Sequence, residues 1–242
     1  MKIENIDINV FGAKLLSSFY TDTEFVNSSN EWLRYGLLPF WGPVEVKFKT
    51  LSVELYFKAE DKETLEHNIS NFLSKLTGSR AIELPDRQNK FMGMLQDKEI
   101  TDTVKPLVKR YQLQFVGYEY GDQQTETLNR VTTKTINVPG NALTPCIVEI
   151  TPAADIPDLT ITGLGYDPQK DTNQPIKFTK IQKSGQKVIV DGEKGLVTLA
   201  DGTNKYGDTD LWLFPRLRPG ANTITVSRNN VDITLRYCPR FI

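Results

Sequence analysis

Histidine is almost missing from this chain: His67 is the single one in 242 residues. Cysteine is scarce, with Cys146 and Cys238 alone, and methionine and tryptophan number three each. No apolar run approaches the ~20 residues that span a bilayer, and neither charge dominates, with 29 basic and 30 acidic residues for a net of -1. Each shortage removes a class of function. One histidine leaves little room for a Ser-His-Asp or Cys-His site. Two thiols far apart in sequence make neither a disulfide framework nor a zinc site. They could pair only if the strands bearing them lie side by side, and two buried thiols is the expectation. A neutral chain lacks the concentrated basic face that backbone recognition of nucleic acid requires. The densest basic run, "KPLVKRYQ" at 105–112, reads as a solvated strand end. Membrane insertion and nucleic-acid binding are therefore not expected. The opening "MKIENIDINVFGAKLL" lacks a signal peptide's continuous apolar segment and reads as a first strand of a soluble, cytoplasmically made protein.

Reactive motifs are missing as well. No GxSxG, P-loop, GxGxxG or HExxH occurs. A carboxylate pair for glycoside hydrolysis could be assembled on almost any β-sandwich. Asp191, Glu193, Asp201, Asp208 and Asp210, however, stand in glycine-rich turns where acids are favoured for backbone reasons. The same acids lack EF-hand calcium spacing. No catalytic residue, cofactor or metal site is assigned.

What is present is mostly alternation. One segment, "DKETLEHNISNFLSKLTG" at 61–78, is helical: Leu65, Ile69, Phe72, Leu73 and Leu76 form one stripe. Asp61 suits the N-cap, Glu63 the first turn, Lys75 the last, and Gly78 the residue past the end. His67 falls on the polar side. Before the helix, Val44, Val46 and Phe48 alternate, then parity flips to Leu51, Val53, Leu55 and Phe57; a bulge near Lys49 and Thr50 would restore a single buried face. After it, "RAIEL" and "KFMGML" read as short strands, and Tyr111, Leu113 and Phe115 point inward from a longer one. This half is an α+β unit, a sheet with one helix.

Residues 11–43 are poorly patterned but carry Trp32, Tyr35, Phe40 and Trp41. They suit either a buried irregular loop or an extended arm packed on a neighbouring subunit, where aromatics are enriched. The polar "TETLNRVTTK" at 125–134 is taken as a linker, dividing the chain into domains 1–130 and 131–242. Beyond it about eight short apolar runs alternate with turn signals, the pattern of an antiparallel β-sandwich. The run "LWLF" at 211–214 ends on Pro215, and Pro219-Gly220 suits a type II turn that leads past Asn222 into the next strand. As a strand, it would place Trp212 and Phe214 on one face with Trp212 in the core. A carbohydrate-binding reading remains as the alternative, with Tyr166, Tyr206 and Trp212 as stacking surfaces.

Several of these stretches resemble the distal tail (Dit) proteins of siphophages that infect Gram-positive bacteria. The resemblance rests on "VIVDGEKGLVT" at 188–198, on Trp212, Phe214, Pro215, Leu217, Pro219, Gly220 and Asn222 in the pattern W-x-F-P-x-L-x-P-G-x-N, and on the terminal "RYCPRFI". "FGA" at 11–13, the Trp-bearing segment, the strand and helix at 55–76 and "KFMGML" extend it to the first half. It implies a mainly β virion protein: an N-terminal ring-forming (belt) domain and a C-terminal galectin-like sandwich. It further implies a non-enzymatic homo-hexameric hub at the virion tail tip, assembled in the host cytoplasm. The implied partners are the tail tube protein, the tail tip or tail-associated lysin protein, the tape-measure C-terminus, and receptor-binding or baseplate proteins. The alternative is a lectin-like module for host cell-wall polysaccharide, although the sugar-contact motif of true galectins is missing.

Overall fold

In a computed structural model the chain is described at all residues except 22, 24, 28–29, 32–39, 42–43, 169 and 181. It forms two compact units that divide between Gly121 and Asp122. Strands of four or more residues are numbered in chain order.

The first unit contains β1 (Ala13–Thr21), β2 (Lys49–Lys58), α1 (Lys62–Ser74), β3 (Ser79–Glu83), β4 (Lys90–Lys105) and β5 (Val108–Tyr120). They form an antiparallel sheet in the order Ile6–Asp7, Lys2–Ile3, β3, β4, β5, β2, β1. Strict alternation in β2 and β5 sets Leu55 opposite Tyr111, Val53 opposite Leu113 and Leu51 opposite Phe115, all buried on one face. Helix α1 covers that face with Leu65, Ile69 and Phe72. The Phe72 ring meets Phe57 edge-on at 5.2 Å and Phe11 at 5.8 Å. Asp61 caps the helix as its residue type dictates, accepting from the Thr64 amide at 2.8 Å and the Thr64 hydroxyl at 2.7 Å. The helix ends at Ser74 with Lys75 as its right-handed cap, so Gly78, at φ +81°, lies in the turn beyond rather than at the residue past the end, and His67 is exposed. No described helix is long and apolar enough to cross a membrane.

Several expectations change. The opening is a two-residue hairpin, with Glu4 and Asn5 at positive φ, followed by the 3-10 turn Ile8–Phe11 rather than one strand. The parity flip before β2 marks two separate strands: Val44–Val46 pairs with Phe25–Asn27, and the chain then enters β2. "KFMGML" begins a 16-residue strand, β4, hairpinned to β5. Strand β1 was not visible in sequence because a register shift between Leu15 and Ser17 inserts Leu16 and breaks the alternation.

The second unit is a sandwich. It contains β6 (Gln124–Asn129), β7 (Thr133–Val138), β8 (Thr144–Pro152), β9 (Leu159–Asp167), β10 (Thr172–Phe178), β11 (Val188–Asp191), β12 (Leu196–Leu199), β13 (Gly220–Val226) and β14 (Val231–Tyr237). One layer runs β6-β14-β8-β11-β12 and the other β7-β13-β9-β10 and then Thr209–Asp210. The short Arg216–Leu217 pairs with the start of β8 and with Gly165 of β9 and so ties the layers together. Inward residues of both layers, among them Val148, Ile161, Phe178, Val190, Ile224 and Ile233, form one core.

The stretch 125–134, expected as a linker, instead holds most of β6 and the start of β7. Both lie at sheet edges, where few apolar residues are needed, so the segment reads as polar although Leu128 is fully buried. The unit boundary accordingly falls before residue 124. Strands β8 and β14 do lie side by side, yet Cys146 and Cys238 form no disulfide. Cys146 stands opposite Tyr237, so the next residue, Cys238, points to the other side of the sheet. Burial pushes the Cys146 thiol pKa well above its ordinary value.

Removing the ring that couples helix to sheet should cost the most in the first unit. Phe72→Ala is expected to lose about 3–5 kcal/mol in urea unfolding. An unchanged midpoint would contradict the assignment of Phe72 to the core.

Candidate functional site

The turn acids are engaged locally. Asp191 accepts the amides of Glu193 and Lys194, both at 2.9 Å, and Asp201 accepts that of Thr203 at 2.9 Å. Asp208 holds Lys180 and Lys205 at 2.8 Å each, and these two hydrogen bonds lower its pKa from the ordinary carboxylate value. Among the described residues, no three His, Cys, Asp or Glu gather in an arrangement that could hold a metal ion.

Two regions instead carry surface chemistry. The first lies in the N-terminal unit. Phe25–Asn27 pairs with Val44–Val46, and Asn30–Glu31 pairs with Phe40–Trp41. The two ladders are separate two-stranded sheets that share one register. In and next to the first of them Phe25 is 59% exposed, and Val46 and Phe48 are exposed as well. Trp32 and Tyr35 lie outside the described residues, and Phe40 and Trp41 are placed as a backbone strand. Cross-strand partners also define the sheet face turned away from α1. Met94 lies opposite Val116, and Phe19 lies opposite Ser52; Met94 is 54% exposed and Phe19 53%.

The second region is the loop that bears the tryptophan motif. Residues 211–214 are not a strand, so the period-two expectation for them fails. Leu211 is buried, Phe214 packs half-buried on the core, and Trp212 projects with 82% of its surface exposed. Trp212 is therefore not a core residue. Its loop is nonetheless pinned. The Tyr206 hydroxyl donates to the Leu211 carbonyl at 3.2 Å, and its ring stacks on Phe214 at 6.2 Å. The Cys146 amide donates to the Pro215 carbonyl at 3.0 Å. Gly192 fits only because it has no side chain: a Cβ there would lie 2.1 Å from the Pro215 oxygen.

The rest of the motif closes the following turn. Leu217 is fully buried, and Gly220 takes φ +83° after Pro219, as a type II turn requires. The buried Asn222 amide donates to the carbonyls of Arg218 (2.8 Å) and Gly220 (2.9 Å), while its oxygen accepts the Arg218 amide at 3.1 Å. Of the other aromatics named from sequence, Tyr166 donates its hydroxyl to Asp171 and lies 6.0 Å from the Arg218 guanidinium, whereas Tyr206 serves the loop. Two hollows flank Trp212. One, of about 330 Å³, includes Glu193, Arg216 and Arg240; the other, of about 270 Å³, includes Asp167, Lys170 and Gln174. Those polar residues come from separate strands and turns, and no spacing in the sequence announces their convergence.

Two outcomes follow from these contacts. Asn222→Ala strips three partners from partly buried backbone and should destabilise the second unit by about 1–3 kcal/mol in thermal or urea unfolding; a loss below the error of the measurement would contradict the clamp. Asp208 has a lowered folded pKa, so its contribution is complete above its unfolded value of ~3.9 and disappears as pH falls through the folded one. Asp208→Asn should therefore flatten the acid side of the Tm profile below about pH 4. An unaltered profile would mean that the lysines do not stabilise the carboxylate.

Comparison with known proteins adds a family match and likenesses in fold. Residues 139–241 match the family described as "Siphovirus-type tail component, C-terminal domain". Comparison with curated proteins gives no match. Among solved structures, the SPP1 Dit (gp 19.1) protein, described as a paradigm of the hub adsorption apparatus in phages infecting Gram-positive bacteria, is similar at 11% identity. The TM-score is 0.75, over 99% of this chain and 98% of that one. A chain of the phage P2 baseplate in its activated conformation with calcium is similar at 10% identity and TM-score 0.53, covering 95% and 92%. Residues 139–241 are thus similar to the C-terminal domain of siphovirus-type tail components, and the chain shares the fold of Dit over nearly its whole length.

Proposed function

We propose that this protein is a structural hub of a phage tail, a homo-hexameric ring at the distal end of the tail tube. In this reading it joins the tube to the tail tip or tail-associated lysin protein and to receptor-binding or baseplate proteins. The family match and the likeness to a hub protein support the tail role. Residues 1–121 form the ring, and the sandwich, galectin-like in its two antiparallel layers, serves the periphery. The hub performs no catalysis.

The observation that carries the ring is the state of the first unit's sheet. One helix covers one face, and the other face leaves Met94 and Phe19 more than half exposed. Phe25, Val46 and Phe48 add apolar surface at the base of the arm that bears Trp32, Tyr35, Phe40 and Trp41. Apolar groups at this density mark an association surface. A ring forms when one surface of each copy meets a different surface of the next and the rotation closes. An arm on one copy and an uncovered sheet face on the next are two such surfaces.

Light scattering on the full-length protein should give a mass near six times the 27.5 kDa subunit. Trp32→Ala, Trp41→Ala and Phe25→Ala should each weaken association by about 2 kcal/mol, close to 30-fold, with little change in Tm. A monodisperse monomer at high concentration that also ignores tube and tip proteins would overturn the reading. Variants that unfold while assembling normally per folded molecule would return the arm to the core.

A further inference from the structure

The Trp212 loop is more elaborately held than a packing role requires. A large side chain in a core is held by its neighbours. Here the backbone on both sides of Trp212 is fixed while the indole itself stands in solvent. The Tyr206 hydroxyl holds the Leu211 carbonyl, the Tyr206 ring backs Phe214, and Pro215 is bonded to β8 through Cys146. An aromatic side chain on a rigid support binds with little further loss of conformational freedom.

What flanks the indole indicates the ligand. On one side Glu193 offers carboxylate oxygens, with Arg216 and Arg240 as donors. On the other, Asp167 offers acceptors, Lys170 donors, and Gln174 both. The Tyr166–Asp171 hydrogen bond (3.0 Å) spans the turn that carries Asp167 and Lys170. Both hollows therefore mix acid and base. A polyanion would meet a carboxylate on each side, and a polycation would meet arginine or lysine on each side. A purely apolar partner would leave these charges desolvated and imperfectly paired. The complementary ligand has one apolar face for the indole and a rim of neutral groups that both donate and accept.

We infer that Trp212 and its two flanking hollows form a binding site for a neutral saccharide chain. One pyranose ring lays its C–H face on the indole, and its hydroxyls and those of a neighbouring unit reach Asp167 and Gln174 on one side and Glu193 and Arg216 on the other. This assignment is independent of the ring, since every residue in it belongs to the second unit.

The test uses the full-length protein and neutral gluco- and galacto-configured oligosaccharides of three to six units, with and without N-acetyl groups. Calorimetric titration is paired with tryptophan fluorescence. At least one oligosaccharide should bind in the micromolar to millimolar range and perturb the fluorescence. Trp212→Ala should weaken that binding at least tenfold and remove the response, with Tm and assembly mass unchanged. Trp212→Tyr should retain part of the affinity, and Gln174→Ala should reduce it without changing the fluorescence of the unliganded protein. Absence of binding by every oligosaccharide at 10 mM, or binding that survives Trp212→Ala, would overturn the assignment. So would a Trp212→Ala variant whose only defect is reduced capture of a purified baseplate protein, which would make the loop a protein-docking surface instead.

Discussion

A β-sheet has two faces, and the first unit has one described helix to cover them. Helix α1 solves half of that problem: Leu65, Ile69 and Phe72 close over Leu51, Leu55, Phe57, Leu113 and Phe115. Among the described residues no helix covers the other face, where Met94 and Phe19 are more than half exposed. The second unit meets the same constraint differently, by setting two five-stranded layers against each other and burying one core between them. One unit is therefore self-sufficient in its packing, and the other is suited to association. That asymmetry supports the proposed hub, in which the first unit would form the ring and the second would stay folded on its own while it presents loops.

The motif Trp212-x-Phe214-Pro215-x-Leu217-x-Pro219-Gly220-x-Asn222 shows how one sequence stretch can serve structure and surface together. Leu217 and Asn222 hold the turn, Pro215 and Phe214 fix the loop to the sandwich, and Trp212 is left outside. The close approach at Gly192 belongs to the same arrangement, because the turn after β11 must lie against the Pro215 carbonyl. The scaffold of the second unit thus fixes the position of the indole without burying it.

Legibility in the sequence followed physical regularity. The α1 stripe and its Asp61 cap could be read because 3.6-residue periodicity and capping chemistry are local. Strands β2, β5, β8 and β14 could be read because both or one of their faces bury alternating residues. Strand β1 escaped because Leu16 is an inserted residue that scrambles the alternation, and β6 and β7 escaped because edge strands need few apolar side chains. Trp212 was misplaced for a different reason. Four apolar residues before a proline look like a strand, and only the ladders at Thr209–Asp210 and Arg216–Leu217 show that the chain between them is a loop. The convergence of Asp167, Gln174 and Glu193 around it is tertiary and leaves no local trace. The register of the short ladders Phe25–Asn27 with Val44–Val46 and Asn30–Glu31 with Phe40–Trp41 is likewise a property of pairing rather than of composition.

The claim on which this account rests is that the face around Met94 is covered by another copy of the chain. Peroxide footprinting read by peptide mass spectrometry tests it directly, by comparing Met94 oxidation in the assembled protein with that in a diluted, dissociated sample. The account predicts slow oxidation of Met94 on assembly and rapid oxidation on dissociation. Equal, rapid oxidation of Met94 in both would show that this face stays open and would contradict it.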